Sequence, residues 1–304
     1  MNFLKKPYLY AGLFTLLLVG CSTFLLLDTF LISHQYKTIT SSQTPSPTSS
    51  ATNESTATPV ITDSSYTDDN IKINIDTIRE YDSTVYIADI TLSSSNYLKT
   101  ALAQDAYGRN IKEKTSSMAN RYNAILAING DYYGANSDGY VIKNGVLYRD
   151  SIRDDNSYDD LVIYQDGSFD IINESEITAN ALIENGVEQL FAFGPSLVYN
   201  GSISISESTE VSKAMSSNPR TAIGIIDDLH YLVVVSDGRT DESQGLSLYQ
   251  LASIMKNYGC KTAYNLDGGG SSTLYFNGRI LNTPTTNGSS IRERSVSDIV
   301  YFGY

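Results

Sequence analysis

The chain of 304 residues contains only two cysteines, Cys21 and Cys260, and only two histidines, His34 and His230. That scarcity excludes a disulfide framework and any zinc site built mainly from Cys and His. It also removes Ser-His-Asp and Cys-His catalysis unless His230 serves, and His230 stands in a turn-like Asp227-Asp228-Leu229-His230 run. Basic residues are short as well: 21 Lys and Arg face 34 Asp and Glu, a formal net charge of -13. With no basic surplus to neutralise phosphates, a nucleic-acid partner is excluded. Any catalysis must rest on carboxylates, arginines, hydroxyls and backbone dipoles.

The N-terminus carries the apolar run. Lys5 and Lys6 precede Tyr8 to Leu27, which is interrupted at Asp28 and resumes through Ile32. A helix of about twenty apolar residues crosses a hydrocarbon core of ~30 Å, and the two lysines put the N-terminus in the cytoplasm and the rest outside. Two alternatives stand beside this single-pass signal anchor. One is a cleaved signal peptide, whose apolar core is usually shorter and ends at a small-residue site. The other is a lipoprotein in which Cys21 of Leu18-Val19-Gly20-Cys21 becomes the lipidated terminus, although Thr23 to Leu27 stays apolar where a lipoprotein turns polar. All three readings leave the remaining chain extracytoplasmic, and the signal anchor or the lipid would hold it at a cell membrane. From Thr38 to Thr62 the sequence is nearly all Ser, Thr, Pro, Ala and Gln, too poor in apolar surface to offset its ordering entropy. The expected divisions are residues 1–33, cytoplasmic tip and anchor; 34–69, disordered linker; and 70–304, one folded domain.

Within that domain the pattern is α+β, with mixed or antiparallel sheets and a few packed helices. Ile71 to Ile75 alternates apolar and polar as a half-buried strand does, and Val85 to Ile90 supplies a second. Asp166-Gly167 separates two strand-like runs, and Asp227-Asp228 two more. Ser247-Leu248-Tyr249-Gln250 reads as a capping box that opens a helix, and Gly259 as its left-handed end. A weaker helix spans roughly Ser116 to Tyr122. Each helix leads into a strand, an Asn-x-Asp turn and an Asn-Gly hairpin: Asn129-Gly130-Asp131 then Asn144-Gly145, and Asn265-Leu266-Asp267 then Asn277-Gly278. This echo is either a degenerate duplication that brings both turns to one cleft or a chance similarity of strand-turn chemistry.

The string Asp267-Gly268-Gly269-Gly270-Ser271-Ser272-Thr273 carries the most chemistry. Three glycines admit a ligand close to the backbone, and successive N–H groups can form an anion-binding nest. No lysine and no helix follow, so it is not a P-loop. Arg220 in Asn218-Pro219-Arg220-Thr221 can bind a phosphate bidentately. Ser236-Asp237-Gly238-Arg239 closes a strand, and Asn129-Gly130-Asp131-Tyr132-Tyr133 sets a carboxylate beside aromatics on which a sugar could stack.

Taken in order, these strings resemble the phosphodiester glycosidase family from about Tyr97 to Phe302. The resemblance rests on Ala127-Ile128-Asn129-Gly130, Pro219 to Gly224, Asp237-Gly238-Arg239, Asn265 to Thr273 and Glu293-Arg294-Ser295-Val296. The chain departs from the family where Asp131-Tyr132-Tyr133 replaces a Gly-Gly-Phe-Phe-type run. The resemblance implies a hydrolase that cleaves a sugar 1-phosphodiester at the anomeric carbon, and bacterial relatives labelled as exopolysaccharide proteins imply a cell-wall or exopolysaccharide glycan substrate. A non-catalytic glycan- or teichoic-acid-binding module and a sugar-phosphate transferase are the alternatives. On this reading Asp267 or Asp237 is the catalytic carboxylate. Arg220 and Arg239, with Arg294 as a further candidate, hold phosphate. Asn129, Gly130, Asp131, Asn265, Gly268, Gly269, Gly270, Ser271, Ser272 and Thr273 line the sugar and phosphate. Asp131, Asp237 and Asp267 are conceivable calcium donors, but no string has EF-hand spacing, so neither metal nor cofactor is expected.

Overall fold

The computed structural model describes residues 7–36, 58–153, 159–210 and 217–304. Along Ile71–Glu80, Ile71, Ile73 and Ile75 are buried while Lys72, Asn74 and Asp76 are exposed, the period-two pattern of a strand with one covered face. Strands nearer the middle of the same sheet are apolar on both faces. Along His230–Ser236, Val233 and Val235 point into one core while Leu232 and Val234 point into another. Such a strand must be covered on both sides.

The covering is a sandwich of two antiparallel sheets with a helix outside each. The larger sheet has nine strands, in the order Ser202–Ile203, Ser196–Tyr199, Thr262–Asn265, Arg220–Asp227, His230–Ser236, Ser83–Leu92, Ile71–Glu80, Ser65–Thr67 and Val60–Ile61. The smaller has five: Arg279–Ile280, Leu274–Phe276, Leu126–Asn129, Asp298–Phe302 and Leu98–Leu102. Ile73, Ile90, Val233 and Tyr264 of the first meet Leu126, Ile128, Leu274 and Phe302 of the second in the central core. Helix Leu248–Asn257 sets Leu251, Ile254 and Met255 on the outer face of the large sheet. The expected capping box opens this helix, with Ser247 and Gln250 exchanging both bonds, and Gly259 follows it at φ +90. Helix Thr115–Arg121 covers the small sheet through Met118 and Ala119. A three-stranded sheet, Phe169–Ile172, Asp160–Tyr164 and Val187–Phe191, packs with helix Ala179–Glu184 at one side. The fold is α+β.

Both Asn-Gly hairpins form, with Asn144 and Gly145 at φ +50 and +71 and Asn277 and Gly278 at +42 and +90, the left-handed pairs that two-residue turns require. The boundary of the folded part differs from the expected one. Val60–Ile61 and Ser65–Thr67 extend the large sheet, because Tyr66 is buried and its hydroxyl donates to Asp68 at 2.7 Å. His34–Gln35 also pairs with Gly108–Arg109. The remainder of the expected linker, 37–57, lies outside the described residues, as does the tip 1–6. Helix Pro7–Phe30 contains a 23-residue stretch, Tyr8–Phe30, of mean hydropathy 2.0, long and apolar enough to cross a membrane.

Candidate active site

Antiparallel register assembles the site from residues far apart in sequence. Ala222 pairs with Asn265, Arg220 with Ser236, and Ile299 with Asn129. The two Asn-x-Asp turns, the Asp237–Arg239 turn, Arg220 and Asp298 therefore lie at one end of the sandwich. The turns touch directly: the Asp267 N–H donates to the Gly130 carbonyl at 3.3 Å.

The glycine loop is a tight turn of 3-10 type at Gly269–Ser271. Gly269 has φ +61, and a Cβ there would sit 2.8 Å from Nη2 of Arg239. At Gly270 a Cβ would run into the Thr286 hydroxyl. The glycines thus let the backbone wedge between an arginine and the Thr286 segment. They do not present the expected open nest, because the turn consumes most of its own donors. Gly269 N–H donates to Pro219 at 2.8 Å, Ser271 to Gly268 at 3.3 Å and Ser272 to Gly269 at 3.2 Å. The Gly268 N–H serves the Asp267 carboxylate.

Asp267 and Arg294 form the centre of the site. Nη2 of Arg294 stands 3.1 Å from Oδ2 of Asp267, and the Ser271 hydroxyl donates to the same oxygen at 2.6 Å. Arg294 also reaches the Ser271 hydroxyl from Nε at 2.9 Å and Nη2 at 2.7 Å. Burial raises the Asp267 carboxyl above its ordinary range, against the lowering effect of Arg294 and these donors. Arg239 lies alongside, its Nε and Nη2 on Oδ1 of Asn218 at 3.1 and 2.8 Å and its Nη1 on the Thr286 carbonyl at 2.6 Å. Its pKa is lowered by burial first and then by the positive charge of Arg294, with Asp267 opposing. Arg220 is buried beneath. Its Nε donates to Leu246 at 2.9 Å and its Nη2 to Glu210 at 2.9 Å, and burial lowers its pKa too.

Other expected site residues serve the scaffold. Asn129 is wholly buried: its amide donates to the Asp267 carbonyl at 2.6 Å, and its oxygen accepts from the Thr221 hydroxyl at 2.9 Å and the Thr273 N–H at 3.3 Å. Asn265 donates to the Gly194 carbonyl at 2.7 Å. The hydroxyls of Ser272 and Thr273 are buried in the loop, without hydrogen-bond partners among the described residues. Asp237, expected as an alternative catalytic carboxylate, accepts from the Thr283 N–H and hydroxyl at 2.7 Å each, from Asn282 at 3.4 Å and from Tyr86 at 3.5 Å. With these acceptor positions filled, it holds the segment that continues to Thr286. Asp131 is turned inward and accepts from the N–H groups of Tyr133 at 3.2 Å and Ala192 at 3.1 Å, away from any stacking surface.

Sequence reading passed over two buried charges behind the site. Nζ of Lys143 is 2.8 Å from Asp298 and 3.5 Å from Asp131, and it lies 3.9 Å from the centre of the Phe191 ring. Burial pushes the Asp298 carboxyl up to about 7, with Lys143 opposing and Asp131 adding to the rise. The Asp298 carboxylate occupies the space a side chain at Gly130 would need, which explains that glycine. Lys143 immediately precedes the Asn144-Gly145 hairpin turn. Its position after Tyr140, Val141 and Ile142, all buried, was the available signal that it too faces inward. A second ionic group, Arg153 with Asp160 and Glu174, lies nearby and was likewise not foreseen. Among the described residues, no group of three or more His, Cys, Asp or Glu could hold a metal ion.

The sequence profile of the phosphodiester glycosidase family matches residues 122–303. The SPbeta prophage-derived uncharacterized protein YomE of Bacillus subtilis is 33% identical over 203 residues, covering 65% of this chain and 31% of that protein. N-acetylglucosamine-1-phosphodiester alpha-N-acetylglucosaminidase of Mus musculus is 30% identical over 140 residues, covering 40% of this chain and 27% of the mouse protein. The chain thus spans about a third or less of the length of these relatives. Among solved structures, the catalytic domain of the zebrafish N-acetylglucosamine-1-phosphodiester alpha-N-acetylglucosaminidase, auto-inhibited by its pro-peptide, superposes with a TM-score of 0.60 at 22% identity, covering 77% of this chain and 83% of that one. A hypothetical protein from Synechocystis superposes with a TM-score of 0.52 at 13% identity, covering 76% of this chain and 62% of that one. These two likenesses bear on the fold alone.

Proposed function

From the premise that the chain belongs to the phosphodiester glycosidase family, we propose that it hydrolyses a sugar 1-phosphodiester at the anomeric carbon. The observation that carries this reading is the placement of the Arg294 and Arg239 guanidiniums beside the Asp267 carboxylate, above the glycine turn. A phosphate monoester leaves as a stable anion, so two arginines can neutralise it where an ordinary glycosidase needs a strong general acid. Asp267 then accepts a proton from the water that attacks C1. The C1–O bond breaks and its electron pair stays on the phosphate oxygen. Arg220 backs the turn from below through Pro219-Arg220, and Ser271 fixes the carboxylate.

The proposed substrate class is a phosphate-linked cell-wall or exopolysaccharide glycan, met outside the membrane that helix Pro7–Phe30 would cross as a single-pass anchor. The full chain, incubated with an N-acetylglucosamine 1-phosphodiester, is expected to release free sugar and a phosphate monoester. Release of sugar 1-phosphate instead would contradict cleavage at C1. Tight binding without turnover would make it a glycan-binding module, and turnover that requires a sugar acceptor would make it a transferase.

A further inference from the structure

A second cavity lies beyond the Asn129–Asp131 turn, where the chain that leaves the apolar helix meets the domain. Its volume is about 300 Å³, at the lower end of small-molecule sites. Its walls are Tyr36, Tyr107, Tyr133 and Tyr148, with Arg109 and Arg149 between them. The rings brace one another: Tyr107 lies 5.6 Å from Tyr133 and 5.1 Å from Tyr148, while Tyr36, 52% exposed, closes one side at 6.0 Å. Asn136 and Ser137 add an amide and a hydroxyl.

Charge gives this cavity its meaning. In a chain of net charge -13, none of the residues lining it is acidic. Arg121, Arg153, Arg220, Arg279 and Arg294 each pair with a carboxylate, whereas Arg109 and Arg149 have no ion-pair partner among the described residues. Carbonyls hold them in place. Nη2 of Arg109 donates to Thr29 at 3.3 Å, and Nη1 of Arg149 donates to Asn136 at 2.7 Å and Tyr133 at 3.3 Å. Neutral acceptors orient both guanidiniums without cancelling their charge, and guanidinium pairs favour phosphate oxygens. Tyrosine faces and edges beside them suit a sugar ring.

We infer that this tyrosine–arginine cavity is a second binding site, separate from the Asp267 centre, and that it takes a phosphorylated sugar. The inference stands on the cavity's own lining and not on the proposed hydrolysis. Phosphosugar chemistry can reach it from a soluble glycan or from a lipid-linked sugar at the membrane face, because Thr29 and Tyr36 flank the end of the apolar helix.

The test is a titration of the full chain in lipid nanodiscs with glucose 1-phosphate, read by tyrosine fluorescence and saturation-transfer NMR, with glucose and inorganic phosphate as controls. Two binding steps are expected. Arg294→Ala should remove one and leave the other. Arg109→Gln and Tyr36→Ala should each weaken the second at least tenfold while hydrolysis by the first site is unchanged. Tyr36 is a surface residue, so its variant guards against loss of fold. A single step that Arg294→Ala abolishes and the other two variants leave alone would overturn the second site without touching the hydrolysis proposal. Absent turnover with the second step intact would do the reverse. Replacing glucose 1-phosphate by a polyprenyl-phosphate sugar in the bilayer separates the sources. Capture at least tenfold tighter at the second site supports a lipid headgroup, and equal capture supports a soluble glycan.

Discussion

Two turns of the same local sequence, Asn129-Gly130-Asp131 and Asn265-Leu266-Asp267, end in aspartates with opposite fates. Asp267 is met by Arg294, a side chain that remains 40% exposed, and by the hydroxyl of Ser271. Asp131 is met by Lys143, whose side chain is 1% exposed, and by two backbone N–H groups. The first pair is reachable by a charged substrate; the second is sealed. Local sequence therefore set the turn, while the partner cation, delivered from a distant strand or loop, set the chemistry. A half-exposed guanidinium can exchange a carboxylate for a phosphate, whereas a buried ammonium cannot leave its carboxylates without stranding them.

Substitutions can break this contrast or sharpen it. The largest effect is expected from Asp267→Asn, which should cut kcat about a thousandfold, roughly 4 kcal/mol of barrier, with the unfolding midpoint near that of the parent. Steady-state sugar release checks this, and an unchanged rate would remove Asp267 from the mechanism. Lys143→Met should act in the other sense. Stripping the cation from two buried carboxylates should cost about 3–5 kcal/mol of stability, read as a lower urea midpoint, while kcat of the folded fraction changes little.

Smaller effects refine the assignment. Arg239→Lys keeps the charge but loses the fork, and a loss of about ten- to a hundredfold in kcat/KM is expected from a weaker hold on the departing phosphate. Asp237→Asn should lower stability by about 1–2 kcal/mol through its bonds to Thr283 and leave kcat within a few-fold, which would separate it from Asp267 as a candidate catalyst. The last prediction concerns pH. Burial raises Asp298 to about 7, so the folded chain keeps a proton that the unfolded chain releases near its ordinary value. The stability of the parent relative to Asp298→Asn should be greatest at about pH 4 and decline toward pH 7 before levelling. Urea melts of both proteins across that range measure it, and a flat difference would contradict the buried proton.

Much of the frame was readable in advance. The capping box at Ser247, both Asn-Gly hairpins and the alternation in Ile71–Ile75 are local signals, and each appears where the local chemistry puts it. The family strings likewise marked the loop that carries Asp267. Side-chain direction was harder to foresee, because it depends on register between strands far apart in sequence. Nothing near Asp237 announces that Thr283 will fill its oxygens, and nothing near Asp131 announces Lys143 or Asp298. The nest failed as an expectation for a related reason. Three glycines permit exposed N–H groups, but the turn that they adopt commits the Gly268 N–H to the Asp267 carboxylate and the Gly269 N–H to the Pro219 carbonyl.

Asn129 has a mechanical consequence. Its one amide group, at the end of a strand of the small sheet, fastens the Thr221 hydroxyl and the Asp267 carbonyl on the large-sheet side and the Thr273 N–H at the start of the neighbouring strand. The glycine loop is thereby fastened at both ends, at Asp267 and at Thr273, to one buried side chain. A loop held in this way has little ordering entropy to lose when a ligand binds. On the proposed function, discrimination among sugars would then fall to the contour of the rim.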